Sequence, residues 1–388
     1  MNQAAGSRLR ASGLRHDVQS LDTMTHRGWL DTMTHRSWLA LMVALVVLLS
    51  LAAVVGPRAD AARASSSAAQ AGSANSSAAG NQGAGAAAAA AAAQIKTLKV
   101  TILSTMLVGD APGLGEWGFS GLVEADGHRV LVDTGAHPDT VLKNAQDLKI
   151  DLSNVKEVIL THNHWDHVRG LMTLRREMMK TNPAALSVVH VGRGIFYSRP
   201  SPKGEVNDMI AIRKEYEASG GKIVEHEAGA EIFPGAWLTG PVPRKFPERN
   251  WSVSGKVQTP QGLVEDTIPE DQSLVLNTPE GLVVVTGCGH AGIVNILTYA
   301  GQEFPNRPVN AVIGGLHLFP ATDQQLDWTG DKLKEFKVAN LMGAHCTGIE
   351  AVYRLRERAG LTRKSAVVGS VGSTYVLGEG IHAGALAK

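Results

Sequence analysis

Apolar and polar residues alternate through "LKVTILST" (Leu98–Thr105), the period of a half-buried strand. "FSGLVEADGHRVLVDTG" (Phe119–Gly135) reads as a hairpin, with Asp126-Gly127 supplying the turn. "VKEVILT" (Val155–Thr161) is a short apolar run, hence a buried strand. Leu171, Leu174 and Met178 then recur at helical spacing until Asn182-Pro183, where a helix must stop. From Ser198 to Glu248 proline, glycine and charge dominate, which predicts a loop-bearing insertion with a helical piece over 209–218.

Three similar units follow. "GLVVVTGCGH" ends at His290 and leads into "AGIVNILTYAG"; "VNAVIGGLH" ends at His317; "VANLMGAH" ends at His345. Each is a strand that delivers a histidine to its carboxyl end, next to a predicted helix. Thr322 with Gln325 and Thr347 with Glu350 match the spacing of capping boxes at the second and third of these helices. Strands alternating with helices indicate an α/β fold, whose sites lie beyond the carboxyl ends of its strands.

The N-terminal pattern is of another kind. "DTMTHRGWL" (Asp22–Leu30) repeats at once as "DTMTHRSWL" (Asp31–Leu39), too short a duplication to build a solenoid. Trp38–Val55 is an uncharged apolar run of eighteen residues, preceded by Arg27 and Arg36 and followed by "ADA" at Ala59–Ala61. That arrangement predicts a signal peptide, or a signal anchor with a transmembrane helix. Alanine, serine and glycine make up nearly all of 62–94; such a segment buries too little apolar surface to offset its ordering entropy and is expected to be a disordered tether. The chain therefore divides into a leader over 1–61, a linker over 62–96 and a folded domain over 97–388.

Charge changes this picture little: 37 basic and 36 acidic residues leave a net +1, and no basic stripe with interleaved aromatics points to nucleic acid. The two cysteines, Cys288 and Cys346, make no disulfide framework and lie in no CxxC zinc pattern.

Histidine changes it more. Of fourteen in the chain, three fall with an aspartate in "THNHWDH" (Thr161–His167), directly after a predicted strand. Residues two apart at a strand end share a face, so His162 and His164 would point at one ion. Past the turn, Asp166 and His167 would reach a second. Imidazole and carboxylate suit zinc, with iron or manganese as alternatives, and two ions need more than four ligands. His290, His317 and His345 are the available donors downstream.

"THNHWDH" resembles the metal-binding signature of the metallo-β-lactamase superfamily, and "LVDTG" (Leu131–Gly135) resembles the strand before its site. "TGPVPR" (Thr239–Arg244), "EDQSLVLNT" (Glu270–Thr278), "GCGHAGIVNIL" (Gly287–Leu297), "IGGLHL" (Ile313–Leu318) and "HCTG" (His345–Gly348) resemble, in order, the branch grouped with 7,8-dihydropterin-6-methyl-4-(β-D-ribofuranosyl)aminobenzene-5'-phosphate synthase. The resemblance implies an αββα sandwich with a dinuclear centre at one edge. It also implies that metal-bound hydroxide attacks the substrate, with Asp166 as ligand and water orienter. His317 is placed in catalysis and substrate contact, and Arg244, Asp271 and Thr347 become substrate-contact candidates. Asp133 and Cys288 become supports for the ligands. Two departures stand out. Where many relatives carry a bridging aspartate, this chain offers Cys288, His290 or His317. "VVHVGRGIF" lacks the relatives' histidine-proline pair, leaving His190 as a reserve donor and single-metal occupancy as an alternative.

The resulting expectation is an exported hydrolase, periplasmic or membrane-anchored, acting on an ester-like, lactone or phosphoester small molecule. A synthase-type transferase and an iron-binding redox or metal-sensing protein are the alternatives.

Overall fold

A computed structural model of the chain describes residues 93–110, 112–251 and 255–387. The predicted leader, apolar run and most of the tether lie outside the described residues. Among the described residues, no helix is long and apolar enough to cross a membrane. Packing is already present before Thr97: Ile95 is buried and its N–H donates to the Asn277 carbonyl at 2.8 Å. The first apolar side chain after the alanine run thus already has a core to enter.

Two sheets face each other. The first comprises β1 (Leu98–Ser104), β2 (Ser120–Ala125), β3 (His128–Val132), β4 (Glu157–Leu160), β5 (Val188–Gly192) and β6 (Lys222–His226). The second comprises β7 (Ala230–Phe233), β8 (Ala236–Leu238), β9 (Leu274–Thr278), β10 (Gly281–Thr286), β11 (Val309–Gly314), β12 (Asn340–Gly343) and β13 (Ala366–Val368). The chain then returns to the first sheet as β14 (Thr374–Val376) and β15 (Gly380–His382). The spatial orders are β15-β14-β1-β2-β3-β4-β5-β6 and β7-β8-β9-β10-β11-β12-β13. Each sheet is antiparallel in one half and parallel in the other, the parallel stretches being β3 to β6 and β10 to β13.

Helices cover the outer faces: α1 (Thr140–Asp147), α2 (Trp165–Val168), α3 (Leu171–Met179) and α4 (Met209–Ala218) belong to the first half of the domain, and α5 (Ile293–Glu303), α6 (Asp323–Glu335) and α7 (Ile349–Ala359) to the second. The strand period decides what faces what. In β10, Val283 and Val285 enter the layer between the sheets with Ile102, Val123 and Ile159, while Leu282 and Val284 pack under Ile296, Leu326 and Leu355. In the first sheet Leu122, Leu131 and Leu160 lie with Val141 and Leu174 on the opposite side. Both faces of the central strands are dry, which is why they read as apolar runs rather than strict alternations. A fully buried aliphatic side chain contributes about 1.5–3 kcal/mol, so these three layers hold the frame rigid around its edge.

The Asp126-Gly127 turn forms as expected, with φ of 45° and 87° and Ala125 opposite His128. Thr322 and Gln325 form a full capping box on α6. The Thr347/Glu350 box does not form: Gly348 is the cap of α7, and Thr347 lies in a 3-10 turn with its hydroxyl turned inward. The insertion between Ser198 and Glu248 carries α4 as predicted, and also the β6–β8 strands.

Candidate metal centre

Parallel strands from both sheets end on one edge, and that edge gathers the histidines. β3 leads into Asp133, β4 into His162, β10 into Cys288 and His290, β11 into His317 and β12 into His345. His162, His164 and His290 form one group whose donor atoms all lie within 4.8 Å of one another, and Asp166, His167 and His345 form a second. The two groups adjoin: the His162 and His167 rings are 4.2 Å apart, and His167 and His345 are 5.0 Å apart. Residues separated by nearly two hundred positions in the chain thus share one small volume.

Local packing sets each ligand. "DTG" clasps the metal-motif helix: the Thr134 N–H and hydroxyl both donate to the His167 carbonyl, at 2.7 and 2.9 Å. A Cβ on Gly170 would sit 2.0 Å from the Thr134 carbonyl oxygen, so only glycine permits that approach. Asp133, fully buried and at φ 55°, accepts from the Thr161 N–H and hydroxyl, each at 2.8 Å, and from His167 Nδ1 at 2.7 Å. The Thr161 oxygen in turn lies 3.0 Å from His162 Nδ1. Carboxylate and hydroxyl therefore hold the Nδ1 protons of His167 and His162 and leave the Nε2 lone pairs aimed into the centre. His290 Nδ1 is held in the same way by the Asn250 carbonyl.

These residues fit divalent ions. His162 Nε2 and His345 Nδ1 are buried without a hydrogen-bond partner, a cost of about 1–3 kcal/mol per group unless something coordinates them. Burial and neighbouring imidazoles push the His162 and His290 pKa values far down, and burial takes His164 to about 4, so these rings stay neutral donors at pH 7. Burial works against charge on Asp166, yet His167, His345 and His164 outweigh it and hold the carboxyl far below the usual range. Burial likewise opposes charge on His345, but Cys346 and Asp166 raise it to about 10, as expected of an imidazole 3.2 Å from a carboxylate oxygen. His317 and His345 join Asp133 at positive φ, 48° and 47°, a strained backbone of the kind retained at functional sites.

Three predicted substrate contacts have other work. Arg244 spends its guanidinium on the carbonyls of His290 at 2.8 Å, Ile268 at 3.1 Å and Thr267, tying the loop before β9 to the centre. Asp271 is 1% exposed and accepts from the Ala291 N–H at 2.9 Å, where burial raises its pKa to about 6. Thr347 is fully buried, accepting from the Leu316 N–H and donating to the Gly314 carbonyl. Asp271 and Thr347 are buried, while Arg244 is half-buried with its guanidinium 5.1 Å from the Trp251 ring. His190 lies elsewhere, 3.0 Å from His226. His317 does meet an opening. Half-buried, it lies at the inner end of a groove of about 780 Å³ whose apolar walls include Trp251, Phe319, Ala321 and Trp328.

Cys288, expected as a support or in the place of the bridging aspartate, comes to the same edge. Its Sγ lies 3.1 Å from His167 Nε2 and 3.2 Å from the Cys346 Sγ, inside the centre rather than behind it. Thr161 and Asn250 were missed as holders of His162 and His290. Thr161 carried a signal, its place beside the histidine motif; Asn250 carried none.

Two facing sheets flanked by helices, with a histidine-rich centre on the shared edge of their parallel strands, define a metallo-β-lactamase fold. Residues 118–183 match the family model described as metallo-beta-lactamase superfamily. Among its relatives is the 7,8-dihydropterin-6-methyl-4-(beta-D-ribofuranosyl)-aminobenzene-5'-phosphate synthase of Methanocaldococcus jannaschii, 27% identical over 66% of this chain and 90% of that protein. An uncharacterized protein of the same organism is also 27% identical, over 62% of this chain and 87% of its own length. A solved structure described as a metal-dependent hydrolase of the beta-lactamase superfamily superposes with a TM-score of 0.58 at 29% identity, covering 71% of this chain and 98% of that one.

Proposed function

We propose that the chain is a metal-dependent hydrolase that cleaves an ester-like, lactone or phosphoester bond in a small molecule bearing an apolar arm. The observation that carries this reading is the convergence of His162, His164 and His290 beside Asp166, His167 and His345, with buried ring nitrogens left unpartnered. Two divalent ions, zinc by the donor set with iron or manganese as alternatives, would supply Lewis-acid polarisation and a lowered pKa for the attacking water.

The chain's own residues do the rest. Asp166 is too weak a base to keep a proton at neutral pH, so its carboxylate accepts a hydrogen bond from the attacking water and orients it. His317, whose Nδ1 has no partner, stands between the centre and the groove, where it would donate to the leaving oxygen as the bond to it breaks. Trp251, Phe319 and Trp328 would hold the apolar arm and exclude water from that side.

The reading includes export, on the strength of the apolar Trp38–Val55 run behind Arg27 and Arg36; cell fractionation tests that part separately. The synthase-type transferase is the rival reading, favoured by the relative's name. Full-length protein should therefore be assayed on ester, lactone and phosphodiester panels and in dihydropterin condensation. Hydrolysis should vanish with a chelator and return with zinc, and His164→Ala should lose bound metal and turnover together. Turnover indifferent to chelation would sink the proposal, and condensation without hydrolysis would favour the rival.

A further inference from the structure

His190 stands out in the sequence, yet the centre at the strand ends does not use it. Its ring, on β5, lies against that of His226 on β6, and neither belongs to any of the five groups of metal-capable side chains at that centre. The pairing register puts the two on one face. His190 is opposite Val224, and Gly192 is opposite His226. On β4, Glu157 is opposite Val188, two residues before His190. Side chains two apart in a strand share a face, so Glu157, His190 and His226 form a diagonal row across three parallel strands. Val158, Val189, Val191 and Ile223 point to the other, helix-covered side.

The row has the spacing of a ligand set. His190 Nδ1 lies 3.0 Å from His226 Nε2. Two nitrogens at neighbouring positions of one ion, with metal–nitrogen bonds of about 2.0–2.1 Å, stand about 2.9–3.4 Å apart. His190 is 7% exposed, and its Nε2 has no hydrogen-bond partner but faces Glu157 Oε2 at 3.9 Å. A histidine that binds metal through one nitrogen turns the other toward such a carboxylate, which fixes its tautomer. His226 and Glu157 are half-buried, so an ion can enter from solvent and the His226 ring can turn to meet it. Lys222 shares the face but is exposed and can extend into water. Burial, then His226 and Lys222, take the His190 pKa to about 4, and burial lowers that of His226, so both rings are neutral at pH 7.

We propose that His190 and His226 form a second cation site, apart from the edge centre, holding one divalent ion of the zinc, copper or nickel type through His190 Nδ1 and His226 Nε2. Water completes the shell, and Glu157 is a positioning residue. Imidazole suits these ions. When one binds, the proton between the rings leaves the His226 Nε2 and solvent returns one to its Nδ1, so both rings stay neutral. β6 is the edge strand of its sheet, and the ion cross-links it to β5. The inference is independent of the proposed hydrolysis.

The test counts ions. Full-length native protein, His190→Gln and His226→Gln are dialysed against zinc buffered at about 10 µM, and bound zinc per chain is measured by emission spectroscopy. Glutamine keeps a hydrogen-bonding atom near the Nε2 position and loses the imidazole. Each variant, folded by circular dichroism, should therefore bind one zinc fewer than native, and whatever the edge centre takes cancels in the difference. Glu157→Gln should bind that zinc about tenfold more weakly. A second measurement needs no variant: in native protein, zinc should slow diethyl pyrocarbonate labelling of His226 at least fivefold, read by peptide mapping, and leave exposed His382 unchanged. Equal zinc uptake by native protein and either folded variant, or His226 labelling indifferent to zinc, overturns the site. Unchanged affinity in Glu157→Gln removes the carboxylate from it.

Discussion

Asp133→Asn replaces one buried oxygen by an amide, and its consequences follow from three hydrogen bonds. Oδ1 accepts from the Thr161 N–H; Oδ2 accepts from the Thr161 hydroxyl and from His167 Nδ1. An asparagine cannot place its NH2 at the first position without opposing a backbone donor, so the NH2 takes the second. There it donates to His167 Nδ1, driving that ring's proton to Nε2, the atom that should bind metal. It also donates to the Thr161 oxygen, whose own proton then turns to His162 Nδ1, 3.0 Å away, and reverses that ring as well. One isosteric change thus presents two N–H groups where two lone pairs are needed. Loss of such an orienting partner weakens metal binding roughly 10–100-fold, or about 1.4–2.7 kcal/mol. The metal-free fold should lose a comparable amount, about 1–3 kcal/mol for a weakened buried network, and remain folded at room temperature. Competition for zinc against a chromophoric chelator measures the first effect, and denaturant unfolding of metal-free protein the second. Zinc affinity within twofold of native, in a variant that is folded, would refute the tautomer argument.

Other expectations are independent of it. Arg199 is buried between Asp266 and Glu270, each at 2.7 Å, and burial raises Glu270 to about 7; Arg199→Ala should cost about 3–5 kcal/mol by leaving two carboxylates unpaired, measured as a fall in the denaturation midpoint. His164 titrates near 4 in the fold against 6.5 in the open chain. The unfolded imidazole thus takes a proton that the folded one refuses, and metal-free native protein should lose stability relative to His164→Asn as pH falls from 6.5 toward 4. An unchanged difference across that window contradicts the burial argument. In the groove, Trp328→Ala should raise KM for a substrate with an apolar arm by about tenfold while changing kcat little, the mark of lost uniform binding. An equal effect on a substrate without the arm would count against the assigned groove.

Much was legible in the chain because its signals are local. Asp126-Gly127 dictated a hairpin turn, apolar runs with glycine-bounded ends dictated buried strands, and the spacing of Thr322 and Gln325 dictated a cap. "THNHWDH" announced candidate donors at a strand end; His162 and His164 fall in one group of side chains able to hold an ion and Asp166 and His167 in another, while His162 and His167 also group with Cys288. Arg244, Asp271 and Thr347 were less legible, because a polar residue in a motif reads alike whether its partner is a ligand or the chain's own backbone. Their partners come from remote loops: His290 and Thr267 for Arg244, Ala291 for Asp271, Gly314 for Thr347.

By sequence alone the chain determined its element types and their α/β alternation, since periodicity and turn chemistry act over a few residues; the sandwich was implied only by the family resemblance of its motifs. Which donors meet was decided only by tertiary structure. Cys288 became part of the centre because a missing Cβ at Gly287 lets β10 close on Thr161 and Asp133, a contact spanning more than a hundred residues. Distance in space between strand ends is set by sheet packing, and no local pattern encodes it.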